Sequence, residues 1–89
     1  MVNVEIYTTP YCPYCHAAKR LLTSKGVKFT EIDVQDRALR AKMTERANGF
    51  DTVPQIFIGK IHVGGSDELY ALEHAGKLDP LLAKRAERA

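Results

Sequence analysis

The two cysteines of the chain, Cys12 and Cys15, stand two residues apart and enclose Pro13 and Tyr14. In thiol–disulfide exchange a thiolate attacks a disulfide, and a second thiol within reach then displaces the product, which fits this spacing. A permanent disulfide between the two would close a very short loop and would stabilise the fold little. The pair therefore indicates redox chemistry rather than a structural cross-link.

Three other interpretations of the cysteines are weaker. The segment from Cys12 to His16 matches the attachment pattern of c-type haem, but no export signal accompanies it. A structural zinc site needs four ligands, and His16, His62 and His74 show no second paired spacing. Two incidental buried cysteines are the third possibility. Because neither the haem pattern nor a zinc site is supported, we expect no metal ligands in this chain.

Composition limits the class of protein. The 89 residues are 45% hydrophobic and 27% charged, with a formal net charge of +2, so we expect one domain over residues 1–89. A charge this small argues against nucleic-acid and membrane partners. The first residues form no secretory signal, and no apolar run is long enough to cross a bilayer. We expect a cytoplasmic protein, whose thiols would be kept reduced.

Hydrophobic periodicity predicts alternating strands and helices. Leu39 and Met43 are predicted to lie in the core beneath the second helix, and Gly26 to end the first helix in a left-handed conformation. The predicted strands cover residues 4–7, 27–34, 54–58 and 61–63, and the predicted helices cover residues 13–25, 36–47, 66–75 and a segment that begins after residue 79.

Polar residues mark the expected helix starts. Asp36 is the predicted N-cap of the second helix, and Ser66 or Asp67 of the third. Asp79 is predicted to cap the last helix, with Pro80 at its first position. Strands joined by helices of this length imply a right-handed βαβ unit with a parallel pair, to which a hairpin adds two antiparallel strands. The expected class is α/β, a mixed four-stranded sheet flanked by helices.

This architecture places Cys12 where the first strand has ended and the first helix begins. Free N–H groups and the helix dipole favour a negative charge at that position, so Cys12 is the expected attacking thiolate. Cys15 follows one helical turn later on the same face, where it is expected to be better buried and to act on the sulfur of Cys12.

Three segments together give the chain a resemblance to the glutaredoxin family that extends over nearly its whole length, most similar to the short bacterial glutaredoxins of the third type. The segments are Cys12-Pro13-Tyr14-Cys15, Thr52-Val53-Pro54 and Gly64-Gly65-Ser66-Asp67. The resemblance implies the minimal thioredoxin fold, with strand order 2-1-3-4 and with two parallel and two antiparallel strands.

The resemblance also implies an enzyme, a glutathione-dependent thiol–disulfide oxidoreductase that reduces protein disulfides and protein–glutathione mixed disulfides. Cys12 would be the nucleophile and Cys15 the resolving thiol. Glutathione would be a co-substrate, with no tightly bound cofactor. The implied partners are disulfide-containing or glutathionylated proteins, with ribonucleotide reductase as a family expectation, and glutathione reductase indirectly. A monomer is expected.

A glutathione-binding site is the last implication of the resemblance. Tyr14 would flank the tripeptide, Thr52 would contact it, and the backbone of Val53 would pair with it ahead of a cis Pro54. The remaining contacts, with the γ-glutamyl end, would come from Gly65, Ser66 and Asp67. Independently of the family, a glycine turn entering a helix presents free N–H groups suited to a carboxylate.

Three alternative functions stay open at this point: a non-catalytic binding module, whose function would survive Cys12→Ser, and two redox proteins. The first redox protein is a thioredoxin-like reductase recharged by a flavoprotein, although the chain has no tryptophan. The second is a carrier of a [2Fe–2S] cluster held by Cys12 and glutathione. Pro13 argues against the carrier, because cluster-binding relatives usually have a small residue at that position.

Thr9 departs from the family pattern, because relatives often carry Lys or Arg three residues before the first cysteine. A positive charge there would attract the glycyl carboxylate of glutathione. We therefore expect Thr9→Lys to lower the KM for glutathione in a coupled turnover assay. An unchanged KM would contradict this, and Thr9→Gln serves as the uncharged control of similar length.

Overall fold

The computed structural model describes residues 3–83. Its elements follow the predicted order β-α-β-α-β-β-α-α. They are β1 Val4–Thr8, α1 Pro13–Ser24, β2 Thr30–Asp33, α2 Arg37–Arg46, β3 Gln55–Ile58, β4 Ile61–Gly64, α3 Ser66–His74 and α4 Leu78–Ala83. Among residues 3–83, no helix combines the length and the hydropathy that a membrane crossing requires.

The four strands form one mixed sheet in the order β2-β1-β3-β4, which confirms the prediction. Strand β1 pairs in parallel with β2 and antiparallel with β3, and β3 pairs antiparallel with β4. Because β1 lies inside the sheet, its alternating side chains are buried on both faces. Ile6 belongs to a core cluster with Leu22 and Leu69, whereas Tyr7 packs in a second cluster with Met43.

The predicted second strand was too long at its start. Strand β2 begins at Thr30, where its register with β1 starts at Glu5. Val27 instead follows the end of α1, where its N–H donates to the carbonyl of Leu22. Gly26 has φ 72° and ends that helix, as predicted.

Two predicted N-caps were wrong. Gly65, not Ser66 or Asp67, is the N-cap of α3. Helix α4 begins at Leu78, so Asp79 and Pro80 lie inside its first turn, where a missing N–H costs no helical hydrogen bond. Burial of Leu78 fixes that start, and the carboxylate of Asp79 pairs with Lys25 at 3.0 Å instead of capping the helix.

Helix α2 begins as predicted but presents a different face to the core. Asp36 is its N-cap and accepts the N–H of Leu39 at 3.0 Å. Met43 is fully buried, whereas Leu39 is 37% exposed, so its predicted core position was wrong. A spacing of four residues turns about 40° beyond one full helical turn at each step. With Met43 and Ala47 facing inward, Leu39 is therefore turned toward the helix flank.

Candidate active site

Cys12 occupies the N-cap of α1, between the end of β1 and the first helical turn. Its Sγ accepts the backbone N–H of Cys15 at 3.2 Å and donates to the carbonyl oxygen of Val53 at 3.6 Å. Pro13 takes the first helical position, where no N–H is needed. The cap bond and the helix dipole both stabilise a negative charge on this partly exposed sulfur.

Cys15 lies one turn further along α1 and has no exposed surface. Desolvation by burial, followed by the side-chain hydrogen bond with Cys12, raises the pKa of Cys15 to about 12. Both cysteines are free thiols. The pair is therefore asymmetric: Cys12 is accessible and supported as an anion, whereas Cys15 stays protonated at neutral pH.

A cavity of about 190 Å³ is lined in part by Val53, whose carbonyl accepts from the sulfur of Cys12, although Cys12 does not itself line the cavity. The cavity brings together all seven residues that sequence comparison assigned to glutathione, with one addition. Its lining residues are Tyr14, Thr52, Val53, Pro54, Gly65, Ser66, Asp67 and Glu68.

Three chain segments meet at this cavity because of the sheet order. Tyr14, which is 64% exposed, comes from the first turn of α1. The loop before β3 contributes Val53 and Pro54, which are joined by a cis peptide bond. Helix α3 follows β4, which pairs antiparallel with β3. The end of β4 therefore lies beside the start of β3, and the first turn of α3 begins at the same end of the sheet.

Glu68 is the lining residue that sequence reasoning missed. Its Oε1 accepts the N–H of Gly65 at 2.7 Å, which satisfies a donor at the start of α3. Gly64 has φ 111°, and a Cβ there would lie 3.0 Å from the same oxygen. A glutamate three residues after an N-cap is typical of a capping box, so the signal was present once Gly65 is taken as the cap.

Basic residues of α2 do not line the cavity. Arg40 donates through Nη2 to the carbonyl of Asp51, in the loop that leads to Thr52. Arg37 and Arg40 line a separate surface depression. Within residues 3–83, no group of three or more His, Cys, Asp or Glu side chains is arranged to hold a metal ion.

Comparison with known proteins decides the family. Residues 4–63 match the family model described as Glutaredoxin, which is more than half of the chain. The chain belongs to the glutaredoxin family. It is 55% identical over 82 residues to Glutaredoxin 3 of Escherichia coli strain K12, covering 92% of this chain and 99% of that protein. The resemblance deduced from the three segments is thereby confirmed.

Solved structures agree with this placement. The solution structure of glutaredoxin from Brucella melitensis is 61% identical and superposes with a TM-score of 0.81, covering 92% of this chain and 89% of that one. A buckwheat glutaredoxin–glutathione complex is 30% identical, with a TM-score of 0.82, covering 91% and 76%. The fold is the thioredoxin fold of glutaredoxins, and the family's activity is thiol–disulfide oxidoreduction, which this chain carries as an enzyme.

Proposed function

We propose that this oxidoreductase depends on glutathione and reduces protein–glutathione mixed disulfides and protein disulfides. The observation that supports this most strongly is the cavity that Tyr14 and residues of the two other predicted segments line together, and the carbonyl of its Val53 accepts from Cys12 Sγ. A buckwheat relative has been solved as a glutathione complex, which supports the same ligand class. Glutathione is then a co-substrate rather than a tightly bound cofactor.

The middle of the tripeptide would lie along Val53. An extended peptide adds to exposed backbone through N–H and C=O groups, and Val53 precedes β3 with its side chain in the second core cluster. Thr52 and Pro54 border the same stretch, and the exposed residue Tyr14 also lines the cavity. This arrangement brings the ligand's sulfur toward Cys12, whose Sγ already contacts the Val53 carbonyl.

The γ-glutamyl end would lie at the start of α3. The first N–H groups of a helix have no helical partners, so those of Ser66 and Asp67 suit the α-carboxylate. The side chain of Asp67 would meet the α-amino group. A Cβ at Gly65 would lie 3.2 Å from Oε1 of Glu68 and 3.4 Å from the carbonyl oxygen of Pro54, so a side chain at this position would crowd the helix cap.

The monothiol route uses Cys12 alone. Its thiolate attacks the glutathione sulfur of a mixed disulfide, and the target protein leaves as a thiolate that takes up a proton. A second glutathione thiolate then attacks the sulfur of the bound glutathione. Glutathione disulfide leaves, and the Cys12 thiolate is restored.

The dithiol route uses both cysteines. Cys12 attacks a protein disulfide and becomes linked to the target, and Cys15 attacks the sulfur of Cys12 as it gives up its proton. The reduced target leaves, and a disulfide joins Cys12 to Cys15. Two glutathione molecules then restore the dithiol and leave as glutathione disulfide.

The proposal also covers the surroundings of the enzyme. We expect disulfide-containing or glutathionylated proteins as partners, with ribonucleotide reductase as one family-based target, and we expect a monomer in the cytoplasm.

Asp67→Asn is the test of the glutathione site. We expect the KM for a glutathionylated peptide to rise about tenfold, since a charged hydrogen bond is lost, while kcat changes little. Turnover would be coupled to glutathione and glutathione reductase. Asp51→Asn, which alters a carboxylate outside the cavity, is the matched control.

The turnover assay and a separate reconstitution experiment distinguish the alternatives. Turnover with thioredoxin reductase in place of glutathione would contradict the proposal and favour a thioredoxin-like reductase. Visible absorption after anaerobic reconstitution with iron, sulfide and glutathione would favour the cluster carrier. An unchanged KM in Asp67→Asn would remove the assigned role of that residue.

A further inference from the structure

A buried glutamine connects β3 to the cavity. Gln55 is 3% exposed, and its side-chain Nε2 donates to the backbone oxygen of Thr52 at 3.0 Å and to Thr52 Oγ1 at 3.2 Å. On its other side, Gln55 Oε1 lies 2.6 Å from Nε2 of His62 on β4. Neither Gln55 nor His62 lines the cavity, so these hydrogen bonds reach Thr52 from the protein interior rather than from the cavity.

The direction of each hydrogen bond in this chain follows from the chemistry of its members. A backbone carbonyl only accepts, so the Gln55 atom facing Thr52 O is the amide nitrogen. The amide oxygen therefore faces His62, and since it also only accepts, His62 Nε2 carries a hydrogen. Thr52 and His62 consequently favour the same orientation of the Gln55 amide.

The orientation of the amide determines the orientation of a backbone peptide in the cavity wall. Gln55 holds the carbonyl of Thr52 toward itself. The peptide between Thr52 and Val53 is planar and trans, so the N–H of Val53 points away from Gln55. Within residues 3–83, this N–H donates to no backbone acceptor. It remains available to an extended ligand.

His62 is itself held in place by its neighbours. Its ring stacks on Phe57, the residue opposite it on β3, with centroids 4.8 Å apart and an interplanar angle of 22°. The guanidinium of Arg46 lies 4.0 Å from the centroid of the same Phe57 ring. Tyr7 packs edge-on against Phe57 and receives a hydrogen bond from Arg46. The imidazole therefore has little freedom to turn its Nε2 away from Gln55.

We propose that His62 and Gln55 are positioning residues that hold the Thr52–Val53 peptide in the orientation that receives glutathione. The proposal rests on the glutathione site proposed above and adds two residues outside that site to its function. Removing the His62 donor takes away one of the hydrogen bonds that hold the Gln55 amide and leaves its oxygen without that partner, so the amide is held less firmly with its nitrogen toward Thr52. Binding of the extended tripeptide weakens, while the attack by Cys12 is unaffected.

His62→Phe is the primary variant, because it retains an aromatic ring to stack on Phe57 but has no donor. We expect its KM for a glutathionylated peptide to rise about fivefold with kcat within about twofold, as for the loss of one neutral hydrogen bond. His62→Gln restores an N–H donor at similar reach, and we expect its KM to return to within about twofold of wild type.

A double-variant cycle tests the connection between the two residues. Gln55→Met removes all three side-chain hydrogen bonds of Gln55 at similar volume, so adding His62→Phe to Gln55→Met should raise KM no further. Equal KM increases in His62→Phe and His62→Gln would overturn the proposal, because they would indicate a packing role. Multiplying effects in the double variant would also overturn it.

Asp67→Asn, measured in the same series, separates this inference from the proposed function. If Asp67→Asn raises KM and His62→Phe does not, the glutathione site stands and the positioning role is wrong. If neither variant changes KM, the glutathione site itself is wrong, and the positioning role fails with it.

Discussion

Cys12→Ser is expected to lower turnover of every disulfide substrate by at least about a thousandfold, because both proposed routes begin with attack by its sulfur. A serine hydroxyl remains protonated at neutral pH and forms no mixed disulfide. The N-cap is retained, since serine is among the preferred capping residues, so the free energy of unfolding should change little. Initial rates with glutathionylated peptide and with a protein disulfide would be compared between wild type and variant.

Cys15→Ser is the matched control on the same helix. It should retain reduction of glutathione mixed disulfides, which the monothiol route completes with Cys12 alone, and lose most of its activity on protein disulfides. Loss of both activities in Cys15→Ser would contradict the monothiol route. Full activity in Cys12→Ser would remove the assigned nucleophile.

The pattern of strands and helices was predictable because each element buries one regular set of side chains. Strand order followed from the βαβ unit and the hairpin, together with the family resemblance. The two wrong helix caps have different causes, a competing local contact in α3 and a tertiary contact in α4. Ser66 and Asp67 are good capping residues, but the pairing of Glu68 with the Gly65 N–H makes Gly65 the N-cap of α3. Asp79 is drawn into an ion pair with Lys25.

The residues that line the candidate site could be predicted from the sequence, but the residues that position them could not. Motifs identify side chains that face a ligand, and the cavity contains all seven of those expected. Motifs do not identify residues that contact the cavity wall without lining the cavity. Gln55 and His62 stand seven positions apart on paired strands, and only the register of the hairpin brings them to 2.6 Å. From sequence alone, Gln55 reads as a strand residue and His62 as an isolated histidine.

Selective alkylation is the second prediction with a large expected effect. A thiolate is the species that reacts with iodoacetamide, and burial raises the pKa of Cys15 to about 12. Its thiolate fraction at pH 7 is therefore about a thousandfold smaller than that of an ordinary cysteine. We expect mass spectrometry of the native reduced protein to show label on Cys12 while Cys15 remains unmodified. In denaturant both should be labelled.

Cys12→Ser is the control that separates the two causes of the slow alkylation of Cys15, its burial and its contact with Cys12. Burial is the largest cause of the raised pKa of Cys15, and the hydrogen bond and charge of Cys12 add to it. Without that sulfur, Cys15 should react faster than in wild type but still far more slowly than in denaturant. The same relief arises in the dithiol route, because Cys12 bears no charge once it is linked to a target. Labelling of Cys15 in the native wild type as fast as in denaturant would contradict the asymmetry on which this order of attack depends.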